Sequence, residues 1–408
     1  MRPLPRRLAL APGLLAALGA LACPSNGGDG PQSGAATAPE ASSKAKKAKK
    51  GKKGKKGKKG RQRDRGTPAV LLKAEPVDFF QGTRPAPVVP IFNAHEHVSD
   101  RAQLPKLFTA MDSTGLRKTV LLASPKYTFV LGKSGFTHYD ESSDEVLAMA
   151  ALHPRRLIPF VLMNPLDHDA PEKLTEYLDR GARGVKLFAG HGASMGDGKP
   201  FHSMPLDDPR LDALYRILVD RKAAVLFHVN HSKFADEFER VLEAHPKLKV
   251  LCPHFCLTLR KHARLRRLFE RFPNLWTDIS FGYIEFQAQG FRRIHKKAKA
   301  IRKFIEDFPD RFTFGTDLVI TGHKQKSIPW MKVNINSYRD VLEQSTYRFY
   351  GLDSERLNGL ALSPELLRRI YRDNLLDWID GDPKPVPAPE TGGGDATPPP
   401  GELGQAAD

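Results

Sequence analysis

Between residues 68 and 380 the sequence alternates eight apolar segments with amphipathic stretches, and this alternation restricts the fold more than any other feature. Most of the apolar segments are continuously apolar, which is typical of parallel strands covered on both faces. Stretches such as 207–222 and 363–379 repeat apolar residues at helical spacing. Eight such units predict an α/β fold, a single-domain (β/α)8 TIM barrel, with an open doubly wound sheet as the alternative. The eight predicted strands are 88–98, 118–124, 157–165, 184–190, 223–230, 249–255, 275–281 and 312–318.

The segments flanking this domain have compositions that do not support a folded core. Residues 1–23 combine a basic start with an apolar stretch that ends at Cys23, and they predict a lipoprotein-type signal peptide. Ordinary cleavage after Ala22 is the alternative. Residues 24–66 predict a disordered Lys/Gly-rich linker, and 381–408 predict a disordered Pro/Gly-rich tail. The barrel is therefore expected over 67–380, in a protein exported to the bacterial cell envelope, lipid-anchored on the periplasmic side or free in the periplasm.

The positive charge of the chain is concentrated in the linker. Residues 44–65 contain 11 Lys, three Arg and one Asp, a net charge of +13 out of +18 for the whole chain. The remainder is not strongly basic, so we expect no specific nucleic-acid partner. The expected partners are a small-molecule substrate, the membrane through Cys23, and polyanions that contact the linker without specificity. A homodimer is a further expectation that the sequence leaves open.

His95 and His97 end the first predicted strand, in the motif "IFNAHEHV". Residues two apart on a strand point to the same side, so the two imidazoles can converge on one metal ion. For an isolated pair, hydrogen-bonded structural histidines are the alternative. The ends of other strands favour the metal: His228 lies near the end of strand 5, His254 at the end of strand 6 and Asp317 at the end of strand 8.

Imidazoles and a carboxylate at the carboxyl ends of barrel strands predict a divalent-metal site. We expect His95, His97, His228 and Asp317 to be the ligands, with Zn²⁺ as the ion and Fe²⁺ or Mn²⁺ as alternatives. Such a metal lowers the pKa of water toward 7. Asp317 is also expected to accept a proton from that water, and His254 to polarise the substrate or carry a proton.

Five neighbouring residues need separate interpretation. On a straight strand Cys252 and Cys256 lie about 13 Å apart, which is too far for a disulfide or for a common metal ion, so we expect small core residues. Lys186 is either a carboxylated lysine in a binuclear site or a charged lysine that faces the substrate. Strand alternation points Glu96 away from the two histidines. Asp278 either orients a ligand or packs structurally.

The motifs together resemble the amidohydrolase-related branch of the amidohydrolase superfamily, which includes aminocarboxymuconate-semialdehyde decarboxylase. They are HxH on strand 1, "GVKL" on strand 4, the strand-5 histidine, "CPHF", "FGTD" and a late "RDNLLDWI", and they extend over residues 88–380. The resemblance implies a mononuclear metal site with the residues named above and His254 as the catalytic histidine. One departure is Asn93, where members of the family often carry Asp.

Three functions follow as hypotheses. The first is a metal-dependent hydrolase that acts on a C–O or C–N bond of a small, carboxylate-bearing molecule. The second is non-oxidative decarboxylation of an aromatic or unsaturated acid at the same site. The third is a surface-anchored, non-catalytic binding protein that uses the Lys-rich linker.

Overall fold

The computed structural model describes residues 75–129, 136–190, 194–195, 199–200, 204–231, 233–352 and 355–381. The chain divides into two units, Met1–Arg63 and Asp64–Asp408, and every described residue lies in the second. The predicted signal peptide, linker and C-terminal tail lie outside the described residues, apart from Gly381 at the start of the tail. Among the residues described, no helix is long and apolar enough to cross a membrane.

Nine strands form one parallel sheet. Their continuously apolar sequences are buried on both faces, as parallel strands covered by helices require. The strands are β1 Ile91–Val98, β2 Leu116–Leu122, β3 Leu157–Leu162, β4 Gly184–Leu187, β5 Ala224–Phe227, β6 Lys249–Leu251, β7 Leu275–Asp278, β8 Phe312–Thr313 and β9 Leu318–Ile320. Their spatial order is β8-β7-β6-β5-β4-β3-β2-β1-β9. Two short antiparallel pairs lie outside this sheet, Ser194–Met195 with Lys199–Pro200 and Thr346–Tyr347 with Leu357–Asn358.

The eighth predicted strand is interrupted, and the interruption closes the barrel. β8 pairs with β7, whereas β9 pairs with β1. Between them, the carbonyl of Phe314 accepts from the N–H of Ala94 at 2.8 Å, and the N–H of Asp317 donates to the carbonyl of His95 at 2.8 Å. These bonds join the two edges of the sheet, and the TIM-barrel prediction is confirmed.

Helices surround the barrel, and several begin with a side-chain cap and a proline in the first turn. Asp208 accepts from the N–H of Arg210 ahead of the helix Pro209–Asp220, and Ser327 accepts from the N–H of Trp330 ahead of Ile328–Glu343. The other main helices are Leu104–Thr114, Tyr139–Leu152, Ala170–Asp179, Ala235–Ala244, Ala263–Arg271, Ile284–Lys296 and Ala298–Asp307. The chain ends in a helical segment made of Pro364–Arg368, a π-helical turn Arg369–Asp373, and Asn374–Ile379. A single turn, Lys126–Phe129, follows β2.

The apolar core has two parts. A large cluster lies between the strands and the helices, and a smaller one includes Ala94, Leu122, Leu226 and Leu251 together with residues of the last helix. Trp378 from that helix packs on Phe160 of β3, with ring centroids 5.2 Å apart. Burial of these large side chains stabilises the barrel, by about 1.5–3 kcal/mol for each fully buried apolar side chain. The carboxyl ends of the strands carry the polar groups of the candidate site.

Candidate metal centre

His95 and His97 project from the carboxyl end of β1 toward one carboxylate oxygen. The Nε2 atom of His95 lies 3.1 Å from Oδ1 of Asp317, and the Nε2 atom of His97 lies 3.2 Å from the same oxygen. Both imidazoles are buried. The register of β1 against β2 shifts between Asn93 and Glu96, where three steps on β1 match two on β2. Such bulges are frequent beside active sites, where they change the direction of a side chain.

Asp317 is held in place by its backbone as well as by the histidines. Its φ of +52° lies in the left-handed region, which is uncommon for a residue with a side chain. Gly282 lies directly behind the carboxylate: a Cβ atom on Gly282 would come within 2.5 Å of Oδ2. Burial alone raises the pKa of a carboxyl group, but the charge of His95 and hydrogen bonds from His95 and His97 hold the pKa of Asp317 well below its ordinary value.

The Nδ1 atoms of three histidines are bound on the side away from Asp317. His95 Nδ1 lies 2.8 Å from Oδ2 of Asp278, His97 Nδ1 lies 2.5 Å from Oγ of Ser124, and His254 Nδ1 lies 2.9 Å from the carbonyl of Ser280. These contacts fix the ring orientations and leave the Nε2 atoms pointing at Asp317. Anchoring of one ring nitrogen is the usual support of a metal-binding histidine.

His254 lies in a left-handed turn immediately after β6. Residues 254–257 all have positive φ values, between 48° and 59°, a conformation that costs roughly 1–2 kcal/mol per residue for L-amino acids. The N–H of His254 donates to Oδ1 of Asp278 at 2.8 Å, and its Nε2 atom lies 3.6 Å from Oδ2 of Asp317. Possible ligand atoms of His95, His254 and Asp317 all lie within 4.8 Å of one another.

The same turn overturns the expectation for the cysteines. β6 ends at Leu251, so Cys252 and Cys256 do not lie on one straight strand. The turn brings their Cα atoms to 5.1 Å, and the two residues form a disulfide. The expected 13 Å separation was wrong because the strand is shorter than the apolar sequence.

His228 follows β5 directly and is half-buried. Its ring packs edge-on against His254 with the centroids 5.0 Å apart, and it faces Phe188 at 6.3 Å. His228 therefore borders His254 at the candidate metal centre. The division of the histidines into ligands and a catalytic residue stays a prediction.

Lys186 points into the same buried space from β4. Its Nζ atom lies 3.5 Å from Nε2 of His95 and 4.7 Å from the ring centroid of Phe188. Burial lowers the pKa of Lys186 to about 8, although the carboxylates of Asp317 and Asp278 oppose that shift. The lysine thus lies beside the candidate metal centre as a buried cation.

Burial also keeps two of the imidazoles neutral. It lowers the pKa of His97 to about 4 and lowers that of His254, so both rings are neutral at neutral pH and each keeps one nitrogen lone pair. Burial acts on His95 in the same direction, but Asp317 and the hydrogen bond to Asp278 raise its pKa above the ordinary value. Neutral imidazoles with a charged carboxylate form the donor set that divalent metals bind.

Glu96 points away from the two histidines, as expected. Its carboxyl group accepts from Oγ1 of Thr316 at 2.8 Å, from Nδ2 of Asn93 at 3.2 Å and from the N–H of His97 at 3.1 Å. Burial raises its pKa well above the ordinary value. Glu96 therefore joins β1 to the segment before Asp317.

Several supporting residues could not be identified from the sequence alone. Ser124, Ser280 and Gly282 carry no motif, and their roles depend on distances between strands. Asp278 could have been assigned more firmly, because a lone carboxylate at the end of a buried strand is a frequent partner of a ligand histidine. In the structure Asp278 contacts Nδ1 of His95 and the N–H of His254, so it orients a candidate ligand rather than only packing.

The sequence profile of one protein family, described as amidohydrolase, matches residues 128–374. No curated protein matches the chain in sequence.

Similar solved structures each cover 71% of this chain. One is a putative 2-pyrone-4,6-dicarboxylic acid hydrolase from Pseudomonas putida, with 16% identity, a TM-score of 0.49 and 97% of its own chain covered. Another is an amidohydrolase from Burkholderia multivorans with bound zinc, with 12% identity, a TM-score of 0.47 and 98% covered. A third is 2,6-dihydroxybenzoate decarboxylase from Rhizobium, with 14% identity, a TM-score of 0.43 and 98% covered.

Proposed function

The chain belongs to the amidohydrolase family, and we propose that it is a metal-dependent hydrolase that cleaves a C–O or C–N bond of a small molecule bearing a carboxylate. One observation carries the proposal. Three histidines, each anchored through Nδ1, direct their Nε2 atoms at the carboxylate of Asp317. Imidazoles anchored through one ring nitrogen and converging with a charged carboxylate are the usual construction of a metal site.

The donor set fits a single divalent ion, and we propose Zn²⁺, with Fe²⁺ or Mn²⁺ as alternatives. His95, His97, His228 and Asp317 are the proposed ligands. The Nε2 atom of His254 lies 3.6 Å from Oδ2 of Asp317, and His254 is the proposed catalytic histidine. The metal, when bound, would supply a Lewis acid and a water of lowered pKa.

The protein's own groups then have separate tasks. Asp317 is charged at neutral pH because its pKa is low, so one of its oxygens can hold a water in place and accept the proton that this water loses. His254 is neutral, and its Nδ1–H is committed to the carbonyl of Ser280. Its Nε2 atom is consequently the one that exchanges a proton with the substrate.

Lys186 is the proposed contact for the carboxylate of the substrate. It is a buried cation 3.5 Å from His95 Nε2, and an ion pair formed in a dry site is stronger than one in water. Carboxylation of Lys186, which would recruit a second metal, is the alternative. Intact-mass measurement of the native protein distinguishes the two, because carboxylation adds the mass of carbon dioxide.

Decarboxylation of an aromatic acid is the second candidate function. Two aromatic rings border the site and favour it: Phe286 lies 5.6 Å from the ring of His254, and Phe188 lies 6.3 Å from that of His228. Flat aromatic substrates pack well against such rings.

Product analysis in ¹⁸O-labelled water tests the choice between these reactions. A library of esters, lactones, amides and aromatic acids is incubated with the protein, and products are identified by mass spectrometry. Hydrolysis places one solvent oxygen in the product. Release of carbon dioxide together with an organic product that contains no solvent oxygen would replace the hydrolase proposal by the decarboxylase. No turnover of any compound would favour a binding protein.

We propose further that the protein is exported and lipid-anchored at Cys23 in the bacterial cell envelope. The basic start, the apolar stretch and the terminal "ALAC" support the proposal. Mass spectrometry of the membrane-extracted native protein would find an acylated Cys23 as the first residue. An unmodified N-terminus at Cys23 in a soluble fraction would indicate ordinary cleavage after Ala22. A homodimer is a separate proposal that light scattering tests.

A further inference from the structure

The disulfide between Cys252 and Cys256 encloses the left-handed turn that carries His254. β6 ends one residue before Cys252, and the two cysteines lie two residues before and two residues after the histidine. The N–H of Cys252 donates to the carbonyl of Trp276 on β7 at 2.9 Å, so this cysteine is still aligned with the sheet. The disulfide therefore connects the later part of the turn directly to the end of a strand.

Local backbone preference acts against this turn. The four residues from His254 to Leu257 have φ values between 48° and 59°, and such values are unfavourable for residues with bulky side chains. The backbone hydrogen bonds of the turn are short-range: Leu257 donates to the carbonyl of His254 at 2.9 Å, and Thr258 donates to that of Phe255 at 2.9 Å. A tight turn and its mirror image form the same kind of bond, so these bonds do not select the left-handed form.

The two halves of the turn are held by different interactions. The N–H of His254 donates to Oδ1 of Asp278 at 2.8 Å, and the ring of Phe255 stacks on that of Phe281 with the centroids 6.1 Å apart. These contacts hold the first two residues. Beyond them, the covalent bond through Cys256 ties the chain back to the strand, and both cysteines are fully buried. The disulfide is thus the link that closes the second half of the turn.

We propose that this disulfide is a positioning element for the reaction: it keeps the turn left-handed, and so keeps Nε2 of His254 at 3.6 Å from Asp317. The inference deepens the proposed function and rests on the role of His254 in it. A disulfide that closes a loop of five residues restricts the unfolded chain less than one that closes a long loop. Its main effect is consequently local, and its loss should displace His254 more than it destabilises the barrel.

Chemical modification of the histidines tests this displacement without a substrate. The full chain is treated with diethylpyrocarbonate, which reacts with accessible imidazoles, and peptide mass spectrometry gives the rate at each histidine. In the wild type we expect His254, which is 2% exposed, to be as well protected as His95 and His97. His168, whose side chain is 98% exposed, reacts freely and serves as the internal standard.

In the variant Cys252→Ala/Cys256→Ala, His254 should react about tenfold faster or more, because a local opening exposes it, while the two histidines of β1 stay protected. The matched control is Leu265→Ala. Leu265 is fully buried in the helix Ala263–Arg271, so its truncation lowers the melting temperature without touching the turn, and His254 should stay protected.

If the double variant does not fold, reduction of the folded wild type by a water-soluble phosphine gives the same comparison. The two sulfur atoms take up two hydrogens from water and become thiols, and the phosphine takes the oxygen and becomes its oxide. Reduction should expose His254 in the wild type and leave Leu265→Ala and the wild type equally reactive at every other histidine.

Turnover provides a second readout on any substrate that product analysis in ¹⁸O-labelled water identifies. The double variant should lose about 100-fold in kcat, since a displacement of about 1 Å has that effect, with KM changed less than about threefold. Absence of turnover in the wild type would count against the proposed function, and the modification rates would still decide the role of the disulfide.

Equal protection of His254 in the wild type and the double variant would overturn the proposal and leave the proposed function untouched. Equal exposure of all buried histidines in the double variant would also overturn it, because the disulfide would then be a general stabiliser. Free thiols at Cys252 and Cys256 in the denatured, unreduced protein would overturn it as well.

Discussion

Substitution of Gly282 by alanine offers a sharp test of how Asp317 is positioned. The φ of Gly282 is +69°, and an added Cβ atom would lie 2.5 Å from Oδ2 of Asp317. Ordinary contact begins near 3.4 Å, so the carboxylate must retreat by about 1 Å, a misplacement that can cost roughly 100-fold in rate. We expect Gly282→Ala to weaken metal binding by about 10–100-fold, the range found when supports of a metal ligand are altered.

Gly82→Ala is the matched control, because Gly82 has a similar φ of +78° but no atom within 4 Å of the added Cβ. Both variants carry the cost of a left-handed alanine, about 1–2 kcal/mol. Only Gly282→Ala also displaces a carboxylate. Zinc affinity is measured by competition with a chelator, and the melting temperature by circular dichroism without metal. The reasoning would be refuted if Gly282→Ala bound zinc as tightly as the wild type, or if Gly82→Ala lost zinc affinity to the same extent.

Three further substitutions test the histidines and their surroundings. Asp278→Asn should weaken metal binding by about 10–100-fold, because it removes the carboxylate that orients His95; unchanged affinity would contradict that role. The pKa of Asp278 is held at about 2, so its stabilising effect is present above its unfolded pKa and lost as the pH falls through about 2. In the metal-free protein, the free energy of unfolding should therefore drop by about 2 kcal/mol more in the wild type than in Asp278→Asn between pH 4 and pH 2, as denaturant titrations would measure. His228→Ala should lose the metal, whereas His254→Ala should keep it and lose turnover; the reverse pattern in elemental analysis would exchange the roles of the two residues.

The alternation of eight apolar segments with amphipathic stretches predicted the barrel, because continuously apolar strands must be covered on both faces. It did not locate the ends of the strands. The apolar segment at 249–255 continues past Leu251, where β6 ends, and the segment at 312–318 is interrupted between Thr313 and Leu318. Apolar character reports burial, and a buried turn is as apolar as a buried strand.

The candidate site was predicted in its residue types but not in its geometry. Because His95, His97, His254 and Asp317 follow or end predicted strands, the sequence predicted that they lie together. The structure brings them together around the carboxylate of Asp317. The left-handed turn that carries His254 could not be predicted, since Phe255, Cys256 and Leu257 are not residues that favour positive φ. The tertiary contacts of His254 with Asp278 accompany that conformation and act against local preference.

Metal content tests the central claim most directly. Elemental analysis of Asp64–Asp408 should find about one equivalent of zinc, iron or manganese in the wild type, and almost none in the His95→Ala/His97→Ala variant with an unchanged circular dichroism spectrum. A wild-type protein without metal, even after each of the three ions is supplied during expression, would contradict the account and leave the buried histidines as structural groups.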